Sequence, residues 1–321
     1  MTDSVAGSPL TIGSDIAALA RDVCVDLNAW AKRWPIFDRA RFRAVALTAA
    51  VQLSDLPHEA RALAGLVSLW IIAFDEVVDE DRLDSGQLAQ LVQDCSTIVD
   101  ARPLSPAAAA DPLLRSLQEI IRNVAVYSSF PVFAEAWRQS FSDMLQAIVE
   151  HRHLAGGEAA ERAEKGRNRP SYEAMLAVTA QSIGVRCYLL TCSILYDDPA
   201  LGRHLPALAE ISAVCARAIR LANDLRTWEK DADEGSANTL WAIEGELRRA
   251  DPAISTAFCR ARALEVLQDR LAATVDEARA LLLAADAPTA RVRRGIDRLL
   301  TFVTELYARF DYHQLGPETA D

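Results

Sequence analysis

The sequence predicts an all-α protein built as one large helical bundle. Nearly every segment of the 321 residues places apolar side chains at the helical period, and the period-two alternation of strands is missing. The length alone would allow two domains, but no linker separates two cores, and no internal repeat is visible. We therefore predict a single all-α domain of roughly ten or more helices.

The N-terminal half is predicted to contain six helices, and proline marks several of their ends. A disordered tail at residues 1–14 precedes the first helix, and Pro57 lies near the first turn of the third. The Pro/Ala-rich segment 101–112 connects the fourth helix to the fifth, and Pro131 separates the fifth from the sixth. The predicted helices span residues 16–31, 41–53, 58–80, 85–98, 113–127 and 133–151.

The C-terminal half resumes after a polar segment at residues 154–170, which we predict to be a surface loop. Gly184 lies in the middle of the next helix, where glycine costs about 1 kcal/mol relative to alanine, so it indicates a helix break or a close approach. The remaining predicted helices span residues 171–196, 205–233, 251–284 and 290–310. One domain is thus expected over residues 15–312, followed by a tail at residues 313–321.

Composition excludes several classes of partner. The net charge of -11 argues against nucleic acid or an anionic membrane surface as a partner. The longest uncharged apolar run, residues 63–74, is too short for a transmembrane segment, which needs about 20 residues, and residues 1–14 do not resemble a secretory signal. The six cysteines are scattered without a CxxC pair, so they are predicted to be reduced core residues of a cytoplasmic protein.

An acidic cluster ends the most apolar predicted helix. Five acidic residues follow residues 63–74 within seven positions, and Asp75 and Asp79 lie at i,i+4, roughly 6 Å apart along one helix face. Like charges repel there, and the C-terminal end of a helix prefers cations, at a cost of about 0.2–1 kcal/mol each. A bound cation would offset both, and carboxylate oxygens suit Mg²⁺ better than zinc or iron. The alternative is that the acids only mark where the helix leaves the core.

A second row of oxygen donors lies on the helix predicted at residues 205–233. Asn223, Thr227 and Asp231 fall at i, i+4 and i+8, which places an amide, a hydroxyl and a carboxylate along one face. Arg220 lies one position off this row and Lys230 adjoins Asp231, as expected if the ligand is a polyanion such as diphosphate. An ordinary polar helix face is the alternative. Two such rows in one apolar bundle are more specific, since they could face each other across a cavity with apolar walls.

Both rows resemble the metal motifs of bacterial class I terpene synthases. FDEVVDE at residues 74–80 resembles the aspartate-rich motif, with Glu76 where a second Asp is more usual. NDLRTWEKD at residues 223–231 resembles the pattern Asn-Asp-Leu-x-Ser/Thr-x-x-x-Glu, with Asp231 in place of the usual Glu, and GSANTL continues it. The resemblance covers most of the chain and implies a helical bundle of the class I terpenoid synthase type around a central apolar cavity.

The resemblance also implies roles for single residues. Three Mg²⁺ ions would be held by Asp75 and Asp79 from one wall and by Asn223, Thr227 and Asp231 from the other. Gly184 matches a glycine at a helix break whose carbonyl faces the forming cation, whereas Ala180 stands where many bacterial members carry a diphosphate-sensing arginine. The candidate diphosphate-binding residues are Arg220, Lys230, Arg309 and Tyr312, the last as a substitute for the tyrosine that often follows the arginine in this family, here Phe310.

The implied activity is that of a Mg²⁺-dependent lyase that ionises a prenyl diphosphate and cyclises the carbocation. Ile71 and Ile72 stand where many sesquiterpene-making relatives carry phenylalanines, and only 7% of residues are aromatic. Fewer rings mean less cation–π stabilisation, which favours a C20 substrate, geranylgeranyl diphosphate or a bicyclic diterpene diphosphate, over farnesyl diphosphate. The predicted pocket wall comprises Ile71, Phe74, Val185, Tyr188 and Phe302.

Other classes explain the sequence less well. An isoprenyl elongating enzyme or a head-to-head synthase would share the fold and Mg²⁺ but would be expected to carry a second aspartate-rich motif in place of Asn223 and Thr227. A non-catalytic helical interaction protein would need neither ligand row nor a cavity. His151 and His153 border the predicted loop and are expected to belong to a solvated helix end. The resemblance further suggests a homodimer.

Overall fold

The structure is a computed structural model that describes residues 13–79, 83–155, 170–284 and 289–310. Within these ranges the chain forms α-helices and short 3₁₀ turns but no strand, so the all-α prediction is confirmed. The first helix begins at Ser14. The rest of the predicted N-terminal tail, most of the predicted surface loop and the predicted C-terminal tail lie outside the described residues.

Twelve α-helices, numbered in chain order, make up most of the described chain. The helices are α1 Ser14–Ala31, α2 Phe42–Gln52, α3 His58–Asp79, α4 Ser85–Val99, α5 Pro112–Val124, α6 Phe130–Ala155, α7 Tyr172–Ser182, α8 Val185–Leu195, α9 Leu205–Glu234, α10 Thr239–Ala250, α11 Thr256–Ala284 and α12 Ala290–Tyr307.

Helix α3 occupies the centre of the bundle. It packs against α1, α2, α5, α6 and α8, and its Trp70 and Phe74 are fully buried. The two rings stack with centroids 5.3 Å apart, and Trp70 also contacts Phe141 on α6 at 5.4 Å. Burying such large side chains contributes about 1.5–3 kcal/mol each. The core thus fixes the helix that carries the first acidic row.

The predicted helix break occurs at Gly184, between α7 and α8. Gly184 adopts φ +71°, in the left-handed region that favours glycine, and the two helices are bent by 43°. A Cβ at this position would lie only 2.5 Å from Ile71 Cγ2, so α3 approaches the break closely. Among the described helices no single one is long and apolar enough to cross a membrane, although α7 and α8 together pass that length-and-composition test.

Helix α10 is absent from the sequence prediction, which instead began a helix at residue 251. Asp251 is in fact extended, with φ -136° and ψ 93°, because it precedes Pro252 and the residue before proline disfavours the helical region. Helix α10 begins after Asn238, whose Oδ1 accepts a hydrogen bond from Leu240 N at 2.9 Å. This cap lies directly beside the second ligand row.

Candidate active site

The bundle encloses a cavity of about 220 Å³ that brings the two predicted ligand rows together. Asp75 on α3 lines it from one side, and Asn223, Thr227 and Asp231 on α9 line it from the other. Arg220 and Lys230 also border this space. Residues far apart in the chain therefore line one cavity, as required if the two rows of oxygen donors face each other.

The carboxylate of Asp231 is held by neighbouring donors. Thr227 Oγ1 donates to Asp231 Oδ2 at 2.7 Å, and Asn238 Nδ2 donates to the same oxygen at 2.8 Å. Asp231 is 9% exposed, and both donors are buried. Hydrogen bonds to a carboxylate are stronger than those between neutral groups, so they fix its orientation toward the cavity.

Residues 235–239, which we call the GSANT turn, form hydrogen bonds with the C-terminal part of α9. Gly235, with φ +70°, ends α9 in the left-handed conformation. Asn238 Nδ2 also donates to Asp224 O at 3.0 Å, and Thr239 donates to Asp224 Oδ2 through its backbone N at 3.0 Å and its Oγ1 at 2.6 Å. In the sequence this segment is visible only as a continuation of the motif, and no function was predicted for Asp224 or Asn238.

Arg220 and Asp224 form a buried ion pair at the cavity wall. Arg220 Nε lies 2.7 Å from Asp224 Oδ1, and Arg220 Nη2 donates to Ala237 O at 2.9 Å. Burial acts to lower the pKa of Arg220, but Asp224, Asp231 and Asp75 outweigh it and raise that pKa above its ordinary value. The guanidinium therefore remains charged beside the cavity.

The acidic end of α3 is described in part. Asp75 and Glu76 both line the cavity, and Glu76 Oε1 lies 2.7 Å from Arg41 Nε, so this glutamate already has a cationic partner. Asp79 is the last residue of α3, and its side chain is outside the described part of the structure. Its role as a metal ligand stays a prediction.

Three of the five predicted wall residues line the cavity, namely Ile71, Val185 and Tyr188. Phe74 and Phe302 do not, and this part of the prediction needs correction. Phe74 lies three residues after Ile71 and directly before Asp75, and both of those residues line the cavity. Because successive residues of a helix point about 100° apart, Phe74 points away from Asp75 and packs against Trp70 in the core. Phe302 is buried one position before Val303, which faces the cavity instead.

The C-terminal contribution also differs from the prediction. Arg309 lies beyond the end of α12, is exposed and does not border the cavity, and Tyr312 lies outside the described residues. Helix α12 brings Leu299, Val303 and Tyr307 to the cavity, and Tyr307 is the polar side chain among these three. This i, i+4, i+8 spacing was the sequence signal that would have identified it.

His151 is a cavity residue rather than part of a solvated helix end, because α6 continues past it to Ala155. His151 Nε2 lies 3.2 Å from Ala237 O, the carbonyl that Arg220 also contacts, and Nδ1 lies 3.4 Å from Ser182 Oγ. Burial, followed by the charge of Arg220, lowers the pKa of His151 to about 3. The imidazole is therefore neutral near pH 7.

The donor set fits a hard divalent cation shared with an anionic ligand. Asp75, Asn223, Thr227 and Asp231 offer oxygen atoms alone, as Mg²⁺ prefers. Among the described residues no three His, Cys, Asp or Glu side chains form a cluster that could hold a metal by themselves. A cation here would need neutral oxygens and a polyanion to complete its shell, and the adjacent Arg220 and Lys230 favour a polyanion.

A match to a family model agrees with this site. The model described as terpene synthase family 2, C-terminal metal binding, matches residues 67–248, more than half of the chain and a span that includes both ligand rows. The chain therefore belongs to the terpene synthase family. The resemblance to class I terpene synthases noted in the sequence is confirmed.

Solved structures share the fold at low sequence identity. The 2-methylisoborneol synthase from Streptomyces coelicolor A3(2), in complex with Mg²⁺ and 2-fluoroneryl diphosphate, aligns with a TM-score of 0.70 and 15% identity, covering 97% of this chain and 98% of that one. The linalool/nerolidol synthase from Streptomyces clavuligerus, in complex with 2-fluorogeranyl diphosphate, aligns with a TM-score of 0.65 and 17% identity, covering 96% of this chain and 100% of that one.

A curated plant relative matches over a shorter segment. The chloroplastic cis-abienol synthase of Nicotiana tabacum is 36% identical over 74 residues, or 22% of this chain. The match spans about 9% of the length of that relative. It adds a sequence link to a terpene synthase but covers too little to carry over an activity.

Proposed function

We propose that the protein is a Mg²⁺-dependent class I terpene cyclase that ionises a prenyl diphosphate and cyclises the resulting carbocation. One observation carries this proposal: Asp75 on α3 and the row Asn223, Thr227 and Asp231 on α9 line the same cavity, with Arg220 on its wall. The structures of 2-methylisoborneol synthase and linalool/nerolidol synthase, which share the fold, were obtained with prenyl diphosphate analogues.

In this proposal three Mg²⁺ ions are held by Asp75 and Asp79 from α3 and by the row on α9. When bound, they supply positive charge that stabilises the departing diphosphate. Arg220 and Lys230 bind the diphosphate, Arg220 as a fixed and buried charge and Lys230 as a more exposed one. The exposed position of Arg309 gives no support to its predicted diphosphate contact.

The apolar side chains of the cavity shape the substrate and exclude water. Ile71, Val185, Leu299 and Val303 supply most of this wall, and water exclusion protects a carbocation from premature capture. Gly184 O, at the start of α8, accepts a hydrogen bond from Tyr188 N at 3.0 Å, and its second lone pair is proposed to face the cation. The broken helix thus brings a partial negative charge to an apolar site.

Two chain lengths remain as candidates for the substrate. The aliphatic pair Ile71 and Ile72 favours a C20 substrate, geranylgeranyl diphosphate or a bicyclic diterpene diphosphate, and both residues line the cavity. The cavity volume of about 220 Å³ favours the shorter farnesyl diphosphate, because it lies below the range of about 300–1,000 Å³ usual for ligand pockets. A C20 substrate would require the cavity to widen on binding.

The decisive experiment is an incubation of the purified protein with Mg²⁺ and, separately, farnesyl, geranylgeranyl and copalyl diphosphates. Gas chromatography–mass spectrometry of a hexane extract should show a cyclic terpene from one of them, and no product without Mg²⁺. Asp75→Ala and Asn223→Ala should each abolish product while the helical circular dichroism spectrum is unchanged. Release of no diphosphate and no terpene from any substrate would refute the proposal.

A further inference from the structure

His151 lies on the cavity wall, and its hydrogen bonds indicate which ring nitrogen is unprotonated. Nε2 lies 3.2 Å from Ala237 O, and because a carbonyl can only accept, Nε2 carries the ring proton. Nδ1 therefore holds a lone pair. Its neighbour Ser182 Oγ is 3.4 Å away but lies closer, at 3.1 Å, to Thr179 O, so the single hydroxyl proton has a better acceptor than Nδ1.

His151 lies close to the helix break whose Gly184 carbonyl is proposed to face the cation. Ser182, the neighbour of Nδ1, lies two residues before Gly184, and both line the cavity beside the helix break. The carboxylates described on the cavity wall either belong to the proposed ligand rows or form ion pairs. Glu76, for example, pairs with Arg41. Apart from the cations Arg220 and Lys230, the remaining polar side chains described on the wall are hydroxyls and an amide, which are far weaker bases than a neutral imidazole.

We propose that His151 is the catalytic base that ends the reaction, an inference that rests on the proposed cyclase function. A C–H bond next to the cationic carbon breaks, its electron pair forms the carbon–carbon double bond, and the proton moves to Nδ1 of His151. The imidazolium then returns the proton to solvent when the product leaves.

The weak basicity of His151 suits this step. A carbocation is a far stronger acid than any protein group, so a base that is neutral and never competes for protons at pH 7 is sufficient. The charge of Arg220 opposes an imidazolium at His151. Diphosphate bound to Arg220 would offset that charge, so His151 is a better base while diphosphate occupies its place beside Arg220.

The test compares His151→Phe and His151→Gln with the wild type and with His153→Phe, a control at an exposed position of the same helix. Each protein receives Mg²⁺ and the substrate that the wild type accepts, and both diphosphate release and terpene products are measured. The glutamine variant keeps a donor near Ala237 O but lacks a basic nitrogen, so it separates proton removal from positioning.

We expect both His151 variants to release diphosphate within about 10-fold of the wild-type rate, because ionisation precedes proton loss. The main wild-type alkene should fall at least 10-fold as a share of product, replaced by isomeric alkenes or by alcohols from water capture. Unchanged products in both variants, wild-type products restored by glutamine, or an exclusively alcohol product from the wild type would overturn the inference. A wild type that releases no diphosphate would instead refute the underlying function.

Discussion

At the scale of single residues, the site depends on side chains that hold the candidate ligands as well as on the ligands themselves. Asn238 both caps α10 through its Oδ1 and donates to Asp231 Oδ2 through its Nδ2. Asn223, Thr227 and Asp231 were predictable because their spacing places oxygen donors on one helix face. The role of Asn238 was not predictable, because its contact with Asp231 depends on how the GSANT turn packs against α9.

We expect Asn238→Ser to lower the apparent affinity for Mg²⁺ by about 10–100-fold, since loss of a hydrogen bond to a metal ligand has that effect. Serine keeps an oxygen that can cap α10, so the helix should remain intact. Turnover measured against Mg²⁺ concentration tests this, with Asn28→Ser, a change on α1 remote from the cavity, as the control. Equal Mg²⁺ dependence in both variants would show that Asn238 only caps α10.

The buried pair of Arg220 and Asp224 gives a second residue-level prediction. Arg220→Met would leave Asp224 buried without its cation, which we expect to lower the free energy of unfolding by about 3–5 kcal/mol. Arg217→Met, on the same helix, removes a solvent-exposed pair with Glu277 and should cost less than about 1 kcal/mol. Urea denaturation of both variants checks this, and similar midpoints would contradict the assigned importance of the buried pair.

At the scale of elements, the helix break joins three parts of the bundle. Gly184 meets Ile71 on α3 and Met144 on α6, so the direction of α8 is set by contacts that the sequence does not reveal. The break itself was predictable, because a glycine inside an apolar helix carries a cost that needs a reason. The start of α11 was predicted wrongly, because Pro252 keeps the preceding residue, Asp251, out of the helical region.

Gly184→Ala is expected to destabilise the protein by at least about 1–2 kcal/mol, from the left-handed backbone alone. The added Cβ would also lie 2.5 Å from Ile71 Cγ2 and force α3 or α8 to shift, so products should change as well. Thermal unfolding and product analysis test both effects. Gly86→Ala, at an exposed site at the start of α4, serves as the control, and equal behaviour of the two variants would contradict this account.

At the scale of the whole molecule, the arrangement of twelve described helices around a cavity follows only in part from sequence. Helical periodicity predicts an all-α bundle, but it does not determine which face of each helix meets the cavity. The misassigned Phe74 and Phe302 illustrate this limit, since each lies one position away from a cavity-facing residue. The place of His151 on the cavity wall was likewise unpredictable, because it depends on α6 extending beyond it to meet the GSANT turn.

Burial of a neutral histidine predicts how the stability of the whole protein depends on pH. The pKa of His151 is lowered from 6.5 to about 3, so between these values the unfolded chain binds a proton that the folded protein does not. The contribution of His151 to the free energy of unfolding should therefore be complete above about pH 6.5. It should fall as the pH decreases, by at most about 1.4 kcal/mol per pH unit. Urea denaturation between pH 5 and 7 should show a smaller slope for His151→Phe than for His153→Phe. Identical slopes would indicate that His151 is protonated in the folded protein.

The central claim is that two distant rows of oxygen donors bind Mg²⁺ and diphosphate together in one cavity. The most direct measurement is thermal unfolding of the wild type and of an Asp75→Ala/Asn223→Ala double variant, with Mg²⁺, inorganic diphosphate, or both. We predict that both ligands together stabilise the wild type, by about 2.7 kcal/mol at 100 times the dissociation constant, that either alone does much less, and that the double variant does not respond. Absence of stabilisation in the wild type, or an equal response in the double variant, would contradict the account.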